Sequence, residues 1–346
     1  MKKILLTGAG FQNKGSAAMV ISVQKAIREL LPCAEFVLAS NSPQFDAKRA
    51  KDYNLKVINY AFTYKRNLKP VMTLLSELRN TDVVIDLSGF GFSDKIKNTG
   101  ILLRALTILL CKISRKPIIL YSQSLGPFNR RFARIACEIC LQRAKFICVR
   151  GEISKKYLNN LGIKNNIRIY ADSAFLLEPA PQKRLDEILH LEKIPKTQRK
   201  RIGVAVNARI YERTPGVGTD NQYVKLIAKL SDFLIEHMNV EIVFIPYEIT
   251  TKGYDDRSIA KMIHKKIKAK TRVHLITNEY NPHELKALAQ TLDLFIGSRF
   301  HSIIASTSMA VPTIAIGWGP KYFEIMQTLG QEEYVVDHNN ISLSRL

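Results

Sequence analysis

The stretch that decides the fold is Leu292–Lys321, LDLFIGSRFHSIIASTSMAVPTIAIGWGPK. It holds an apolar run (Leu292–Ile296), then Gly-Ser-Arg-Phe-His, a small-residue helical pattern and a second apolar run (Thr313–Ile316). This order predicts a β-turn-α-β unit, whose strands are parallel and joined by a right-handed crossover. Open α/β sheets bind ligands beyond the carboxyl ends of their strands, so the turn after the first strand is a candidate site.

Three side chains of this turn carry chemistry that suits such a position. Ser298 stands where a helix N-cap is expected, and Arg299 and His301 fall near the positive end of the helix, which favours an anion. Arg is a fixed bidentate donor to anions, and His moves protons near neutral pH. A histidine near a helix start is more often structural, so the turn alone leaves both roles open for His301.

The same alternation of strands and helices extends over most of the chain. It starts with an apolar strand (Lys3–Thr7), a glycine-rich turn at residues 8–16 and a helix from about Ala17. Sustained alternation of this kind is typical of α/β domains with mostly parallel sheets. We therefore predict an α/β fold of two Rossmann-like domains, whose mostly parallel sheets face each other across a cleft.

A polar segment divides the chain near its middle. Residues 181–200 are rich in Pro, Lys, Gln and Glu, which favours an interdomain linker. The N-terminal domain then spans residues 1–180 and the C-terminal domain residues 201–346, in which residues 208–221 are interpreted as a polar loop. Polar residues that follow strands in both domains are expected at the ligand-binding edges.

Charge and composition restrict the class of partner. The chain has 346 residues, of which 46% are hydrophobic, so it is long enough to bury two cores. Its formal net charge is +22, but Lys and Arg are spread along the chain, without zinc-finger spacing or an RRM-like aromatic signature. We therefore expect no specific nucleic-acid partner. The positive charge also suits anionic substrates or an anionic membrane surface.

Cysteine and apolar patterns indicate the compartment. The chain has five Cys, an odd number in mostly apolar segments, which indicates reduced thiols in a cytosolic protein. Cys137 and Cys140 have CxxC spacing in a helical pattern without a second ligand pair, so we expect no metal. The run Ile101–Cys111, broken by Arg104, is too short to span a bilayer. We predict a cytoplasmic protein, with peripheral contact at the inner face of the membrane as a further hypothesis.

Eight short motifs occur in order between Lys3 and Lys321. They are Gly8 with Asn13-Lys-Gly15-Ser16-Ala17-Ala18, Asp86-Leu-Ser-Gly89-Phe-Gly91, Gln123-Ser-Leu-Gly126-Pro127, Arg150-Gly-Glu152-Ile-Ser154, Ala171-Asp172-Ser-Ala-Phe, Pro246-Tyr-Glu, Gly297-Ser-Arg-Phe-His301-Ser-Ile-Ile-Ala, and Gly317 through Lys321. No single motif is specific. Their order, with Ser-Arg-Phe-His near its end, resembles the polysaccharide pyruvyl transferase family.

The resemblance implies a two-domain, GT-B-like transferase. Such an enzyme moves a pyruvyl group from phosphoenolpyruvate to a sugar as a ketal. The sugar belongs to a cell-surface polysaccharide, an exopolysaccharide or a lipid-linked glycan precursor. Phosphoenolpyruvate is then a co-substrate, and no other cofactor is expected. The resemblance places the acceptor on the side of the N-terminal domain and phosphoenolpyruvate on the side of the C-terminal domain.

Residue roles follow from the positions that match the family's motifs. His301 matches the catalytic histidine and Arg299 a phosphoenolpyruvate-binding arginine. Ser298, Arg150 and Lys321, each next to a strand end, are further candidates for binding phosphoenolpyruvate. The candidate acceptor-binding residues are Asn13, Gly15, Ser16, Asp86, Gly89, Gln123, Asp172 and Glu248. For Asp172, a helix-capping role is equally compatible with the sequence.

Two positions depart from the family's pattern and keep alternatives open. Ser16 stands where members often carry the Asp of Gly-Asp, and Tyr247 stands where they carry the His of Pro-His. One alternative is a GT-B glycosyltransferase that uses a nucleotide-sugar, because an arginine and a helix N-terminus suit a diphosphate equally well. The other is a non-catalytic glycan-binding relative, against which the retention of Arg299 with His301 weighs.

Overall fold

The computed structural model describes residues 1–60, 69–250 and 253–346. Within these residues the chain forms two compact units, Met1–Leu176 (unit 1) and Leu177–Leu346 (unit 2). Each unit contains one parallel sheet and hydrophobic clusters of its own. The prediction of an α/β protein with two parallel-sheet domains is confirmed.

Unit 1 is built on a seven-stranded parallel sheet in the order β3-β2-β1-β4-β5-β6-β7. Its strands are β1 (Lys3–Thr7), β2 (Glu35–Ser40), β3 (Lys56–Asn59), β4 (Val83–Asp86), β5 (Ile118–Gln123), β6 (Phe146–Val149) and β7 (Ile167–Ile169). Its helices are α1 (Lys14–Leu30), α2 (Pro43–Ala50), α3 (Lys69–Arg79), α4 (Asn98–Ile113), α5 (Arg131–Leu141) and α6 (Glu152–Asn160). The strand order reverses between β1 and β4, which creates a crevice at their carboxyl ends.

Unit 2 starts with α7 (Gln182–Leu191) and contains a six-stranded parallel sheet in the order β10-β9-β8-β11-β12-β13. The strands are β8 (Arg201–Ala205), β9 (Glu241–Phe244), β10 (Val273–Leu275), β11 (Leu294–Gly297), β12 (Thr313–Gly317) and β13 (Val335–Asp337). The helices are α8 (Ala208–Arg213), α9 (Gln222–Met238), α10 (Asp256–Lys266), α11 (Pro282–Ala289), α12 (Phe300–Thr307) and α13 (Pro320–Thr328). Here the order reverses between β8 and β11, so the Ser-Arg-Phe-His turn lies at the topological switch point.

Side-chain caps fix where several helices begin. Asn281 caps α11 in a capping box with Glu284. Asn13 caps α1 by accepting hydrogen bonds from the Gly15 and Ser16 amides at 2.9 and 3.1 Å. Because this cap satisfies the first amides of the helix, α1 begins at Lys14, three residues before the predicted start.

Two segments differ from their predicted structure. The segment 181–200, predicted as a linker, contains α7, which buries Leu185 and Ile188 in a hydrophobic cluster of unit 2. The polar stretch 208–221 contains α8 and a short 3₁₀-helix, with Ile210 of α8 fully buried. In both segments a few apolar residues at helical spacing pack into a hydrophobic core, although the flanking residues are polar.

The cysteines are free thiols, as predicted for a reducing compartment. Cys137 of the CxxC sequence is buried in α5, and burial raises the pKa of its thiol to about 12. Such a thiol is a small apolar core group at neutral pH. Among the helices of residues 1–60, 69–250 and 253–346, none has both the length and the hydrophobicity needed to cross a bilayer.

Candidate functional site

Ser298 is held in place from three directions at the switch point of unit 2. Its carbonyl oxygen accepts hydrogen bonds from Asn207 Nδ2 at 2.7 Å and from the Tyr322 hydroxyl at 3.1 Å. Its Oγ lies 3.0 Å from the Tyr223 hydroxyl, and burial raises the pKa of Tyr223 to about 12. The N-cap of α12 is Arg299, one residue after the predicted position, because the Ser298 hydroxyl is used by Tyr223. Ser298 is only 1% exposed, so it supports the turn from inside the protein.

Arg299 lies between two carboxylates. Its Nε is 3.1 Å from both oxygens of Asp256, and its Nη2 is 2.5 Å from Asp256 Oδ1. Its Nη1 forms an ion pair with Glu248. Burial opposes the charge of the guanidinium, but the Asp256 and Glu248 carboxylates outweigh this effect and raise the pKa of Arg299. The arginine therefore stays charged, although burial raises the pKa of its partner Asp256.

Asp256 is the functional neighbour that sequence reasoning missed. Its side chain is fully buried, and its Oδ2 also accepts hydrogen bonds from the backbone amides of Tyr247 and Glu248 at 3.1 and 2.8 Å. In the sequence it is one of two adjacent aspartates at a helix start, and only its neighbour Asp255 caps α10. Asp256 itself was the sequence signal for this contact, because a second acid at a helix start has no capping role to explain it.

His301 and Lys321 occupy the first turns of two helices that follow adjacent strands. His301 is in α12 after β11, and Lys321 is in α13 after β12; these strands pair in parallel with Gly297 opposite Ala315. Neither helix has a side-chain N-cap or an acidic residue in its first turn. Both side chains are partly exposed. The two helix starts thus provide backbone dipoles, a lysine and a histidine at one sheet edge, which is a favourable arrangement for an anion.

Aromatic rings surround this edge. Lys321 Nζ lies 4.9, 5.0 and 5.6 Å from the ring centroids of Phe300, Trp318 and Tyr322. The Phe300 ring also meets the His301 imidazole edge to face, with centroids 5.2 Å apart. Cation–π contacts hold the Lys321 ammonium group next to these rings. They therefore set the position of its ammonium group relative to the helix start.

In unit 1, Asp86 organises the crevice between β1, β4 and β5. Its Oδ2 accepts a hydrogen bond from Thr7 Oγ1 at 3.1 Å, and its Oδ1 accepts from the Ser88 amide at 3.0 Å and from Gln123 Nε2 at 2.9 Å. Gln123 is fully buried, and its Oε1 makes no hydrogen bond with any of the described residues. The structure therefore brings Asp86 and Gln123 together, with one buried acceptor oxygen left over.

Arg150 and Asp172 form a buried ion pair in unit 1. The Arg150 side chain is 2% exposed, and its Nη2 lies 2.5 Å from Asp172 Oδ2. Asp172 Oδ1 also accepts from the Ala174 amide at 2.8 Å, so the capping role is present beside the ion pair. Gly89, at φ +65°, allows this arginine to approach, because a Cβ there would lie 3.1 Å from Arg150 Nη2. Arg150, predicted to bind phosphoenolpyruvate, is thus a core group of unit 1.

The remaining predicted residues divide between the two units. Asn13, Gly15 and Ser16 form the first turn of α1 in unit 1, where Gly15 is buried and the other two are at least partly exposed. Glu248, predicted on the acceptor side, lies in unit 2 as the partner of Arg299. It follows β9 at the same sheet edge as the Ser-Arg-Phe-His turn, so it belongs with the residues around Arg299.

A cavity of about 560 Å³ lies elsewhere in unit 1, between α1 and the sheet. It is lined mainly by apolar side chains of α1, β5 and β6, such as Ile27, Ile119 and Phe146, with Arg168 of β7 as the one charged residue among the described residues that line it. A mainly apolar lining stabilises a phosphate or a carboxylate less well than the helix starts at the strand ends of unit 2. Within the described parts of the chain, no group of three or more His, Cys, Asp or Glu side chains is arranged to hold a metal.

Comparison with known proteins gives one family match. The family model described as polysaccharide pyruvyl transferase matches residues 13–320. Among curated proteins, the chain is 27% identical over 270 residues to the amylovoran biosynthesis protein AmsJ of Erwinia amylovora, covering 75% of this chain. The matched region spans only 62% of the length of that relative.

Solved structures show the same architecture at low identity. The UDP-GlcNAc 2-epimerase of Methanocaldococcus jannaschii has a TM-score of 0.65 and 15% identity, covering 100% of this chain and 91% of that chain. The ADP-heptose LPS heptosyltransferase II of E. coli has a TM-score of 0.54 and 13% identity, covering 100% and 96%. At these identities the similarity shows the fold alone, which is that of GT-B-like proteins with two parallel-sheet domains.

Proposed function

The chain belongs to the polysaccharide pyruvyl transferase family, and we propose that it transfers a pyruvyl group from phosphoenolpyruvate to a sugar of an exopolysaccharide or of its lipid-linked precursor. The observation that carries this proposal within the site is the pairing of His301 and Lys321 at two neighbouring helix starts. The amylovoran biosynthesis protein, named for a polysaccharide, supports the choice of acceptor class.

The reaction sets clear requirements for the site. Carbon 3 of phosphoenolpyruvate takes up a proton, carbon 2 forms bonds to two sugar hydroxyl oxygens, and the bond from carbon 2 to the phosphate oxygen breaks. Of the two hydroxyl protons released, one balances the proton on carbon 3 and the other leaves with the phosphate. The protein must therefore bind two anionic groups and move protons between oxygen and carbon.

The edge of unit 2 supports this proposal with a position for one anionic group and a candidate proton-transfer group. We assign the phosphate or carboxylate of phosphoenolpyruvate to the helix starts of α12 and α13, with Lys321 as the charged contact. His301 is the proton-transfer group, because it lies in the first turn of α12 beside that anion position and its side chain type titrates near neutral pH. Arg299 acts as a positioning residue: its two carboxylate partners fix the turn that presents His301.

We assign the sugar to the crevice of unit 1. Gln123 Oε1 is a buried acceptor oxygen that makes no hydrogen bond with any of the described residues, and a sugar hydroxyl is a suitable donor to it. Asp86 holds the amide of Gln123 in this orientation through Oδ1 and its own carbonyl oxygen. Asn13 and Ser16, at the start of α1, are exposed or partly exposed neighbours of the same strand edge.

Thermal stability in the presence of ligands tests the donor. Phosphoenolpyruvate should raise the melting temperature, since a ligand at 100 times its Kd stabilises the native state by about 2.7 kcal/mol. The shift should disappear in Lys321→Met and persist in Lys261→Met, which removes an exposed lysine of α10. A shift with UDP- or GDP-sugars and none with phosphoenolpyruvate would contradict the proposal and favour glycosyl transfer.

Turnover tests the role of His301. We expect His301→Gln to lower kcat by about 10²–10⁴-fold, the usual contribution of a positioned acid or base, while the phosphoenolpyruvate shift is retained. His237→Gln, at the exposed end of α9, is the matched control and should keep full activity. Full activity of His301→Gln with phosphoenolpyruvate and a sugar acceptor would exclude this assignment.

A further inference from the structure

Two neighbouring helices of unit 1 present large apolar side chains to solvent. Side chains on α4 and α5 that are between 39% and 66% exposed are Leu102, Leu109, Ile113, Phe132, Ile135 and Ile139. We call this set the α4–α5 apolar surface. Exposed apolar residues are normal when single, but a group of this size on two packed helices indicates an interaction site.

The spacing of these residues shows that each set lies on one helix face. Phe132, Ile135 and Ile139 are three and four positions apart, as on a single stripe of α5. The opposite stripe of α5, with Ala133 and Cys137, packs into the core of unit 1. Each helix thus has two apolar stripes, one packed into the core and a second exposed to solvent.

Basic residues are frequent on α4 and α5 and in the segments next to them. The segment 95–145 contains a single acidic residue, Glu138, against eleven basic ones. The basic residues are Lys95, Lys97, Arg104, Lys112, Arg115, Lys116, Arg130, Arg131, Arg134, Arg143 and Lys145. Several are on the helices themselves and exposed, including Lys112, Arg131 and Arg134. The surface therefore combines apolar side chains with a strongly positive rim.

We propose that the α4–α5 apolar surface docks on the headgroup region of an anionic phospholipid membrane. Apolar side chains enter the boundary between headgroups and acyl chains, and Lys and Arg around them meet lipid phosphates. Each basic residue near an anionic surface contributes about 1 kcal/mol, or about fivefold in binding. A neutral protein partner would use the apolar side chains but would gain nothing from the basic rim.

The position of the surface agrees with an acceptor carried by a lipid. Helices α4 and α5 follow β4 and β5, so both begin at the carboxyl edge of the sheet, where Asp86 and Gln123 lie. Phe132 lies in the first turn of α5 and Leu102 within the first five residues of α4, at that end of the surface. Docking would bring the proposed sugar crevice close to the membrane. This last step rests on the proposed function, whereas the docking itself does not.

Sedimentation with phospholipid vesicles tests the docking without any assay of activity. We expect the full chain to pellet at low salt with vesicles of phosphatidylcholine containing 30% phosphatidylglycerol, and much less with pure phosphatidylcholine. High salt should release it, because exposed charges are screened. Failure to pellet with anionic vesicles at low salt would overturn the proposal, whatever the protein does with phosphoenolpyruvate.

Paired variants locate the docking surface. We expect Leu109→Glu/Ile135→Glu to weaken vesicle binding at least tenfold, because it places two carboxylates in the apolar surface. Leu191→Glu/Met238→Glu makes the same change of charge at exposed positions of unit 2 (58% and 56% exposed) and should bind like the unmodified chain. Equal weakening in both pairs would show that net charge alone drives binding, and would overturn the assignment.

Charge neutralisation provides an independent pair. Arg131→Gln/Arg134→Gln on α5 should weaken binding by about 25-fold, from about fivefold for each residue, and Lys261→Gln/Lys265→Gln on α10 by less than threefold. Light scattering of the same proteins tests whether a second copy of the chain occupies the surface instead. A dimer that becomes monomeric in Leu109→Glu/Ile135→Glu, without vesicle binding by the unmodified chain, would show that a second copy covers the surface and would overturn membrane docking.

Discussion

Asp256 and Glu248 both contact Arg299, but their surroundings differ. The Asp256 side chain is fully buried, whereas Glu248 is 35% exposed. Removing one partner of a buried ion pair costs about 3–5 kcal/mol, because it leaves an uncompensated charge, and an exposed pair contributes about 0–1 kcal/mol. The two acids therefore contribute very differently to the stability of the Ser-Arg-Phe-His turn.

We predict that Asp256→Asn lowers the free energy of unfolding by about 3–5 kcal/mol, and Glu248→Gln by less than about 1 kcal/mol. Urea unfolding of the two variants, each of which loses one negative charge, measures the difference directly. Equal losses would mean that solvent reaches Asp256 and Glu248 alike, contrary to their burial in the structure.

The contribution of the hydrogen bond between the Ser298 and Tyr223 hydroxyls can be measured by substitution. Their oxygens are 3.0 Å apart, and both residues are at least 98% buried. We predict that Ser298→Ala costs about 1–3 kcal/mol, because the Tyr223 hydroxyl then stays buried without this partner. Adding Tyr223→Phe should recover part of the loss, so a double-mutant cycle should give a favourable coupling. Strict additivity would show that the two hydroxyls do not interact.

At the scale of elements, Glu192 attaches α7 to the rest of unit 2. Its carboxylate accepts hydrogen bonds from the amides of Thr277 and Asn278, both at 2.9 Å, and from the Tyr280 hydroxyl at 2.7 Å. Burial acts to raise the pKa of Glu192, but these donors outweigh it and lower that pKa. One ionised side chain thus helps to fix a helix of the predicted linker to the segment that follows β10.

We predict that Glu192→Gln destabilises unit 2 by about 2 kcal/mol at neutral pH, in the range of hydrogen bonds to a charged group. Because the folded pKa is depressed, the contribution is complete above the unfolded pKa of about 4.3 and is lost as pH falls through the folded value. Urea unfolding from pH 7 to pH 3 should therefore show the two proteins converging below about pH 4. A difference independent of pH would exclude an ionised Glu192 as the cause.

The elements themselves were largely predictable from the sequence, and their contacts were not. Apolar runs predicted strands such as β1 with the bounds the structure has. The pairs Arg150–Asp172 and Arg299–Asp256 join residues 22 and 43 positions apart. No local pattern encodes such distances, so basic residues at strand ends were all interpreted as anion ligands.

At the scale of the molecule, the alternation of strands and helices was enough to predict two α/β domains, because each βα unit is specified locally. The position of the division was harder to predict. Composition marked residues 181–200 as polar, yet Leu185 and Ile188 are enough to place α7 in a core of unit 2. The proposed role of the positive charge also needed the structure, since only the fold shows that large apolar side chains of the basic segment 95–145 are exposed.

The separate cores lead to a prediction for the whole chain. One hydrophobic cluster of unit 1 includes Leu158, and one of unit 2 includes Leu288, each at most 1% exposed. Leu158→Ala and Leu288→Ala should each cost about 2–5 kcal/mol in their own unit. Native-state hydrogen exchange in low denaturant should then show faster exchange of β4–β6 amides in the first variant and of β8, β9 and β11 amides in the second. Because the two changes are chemically identical, each variant is the control for the other. If either variant accelerated exchange in both sheets alike, the two cores would be unfolding as one cooperative body.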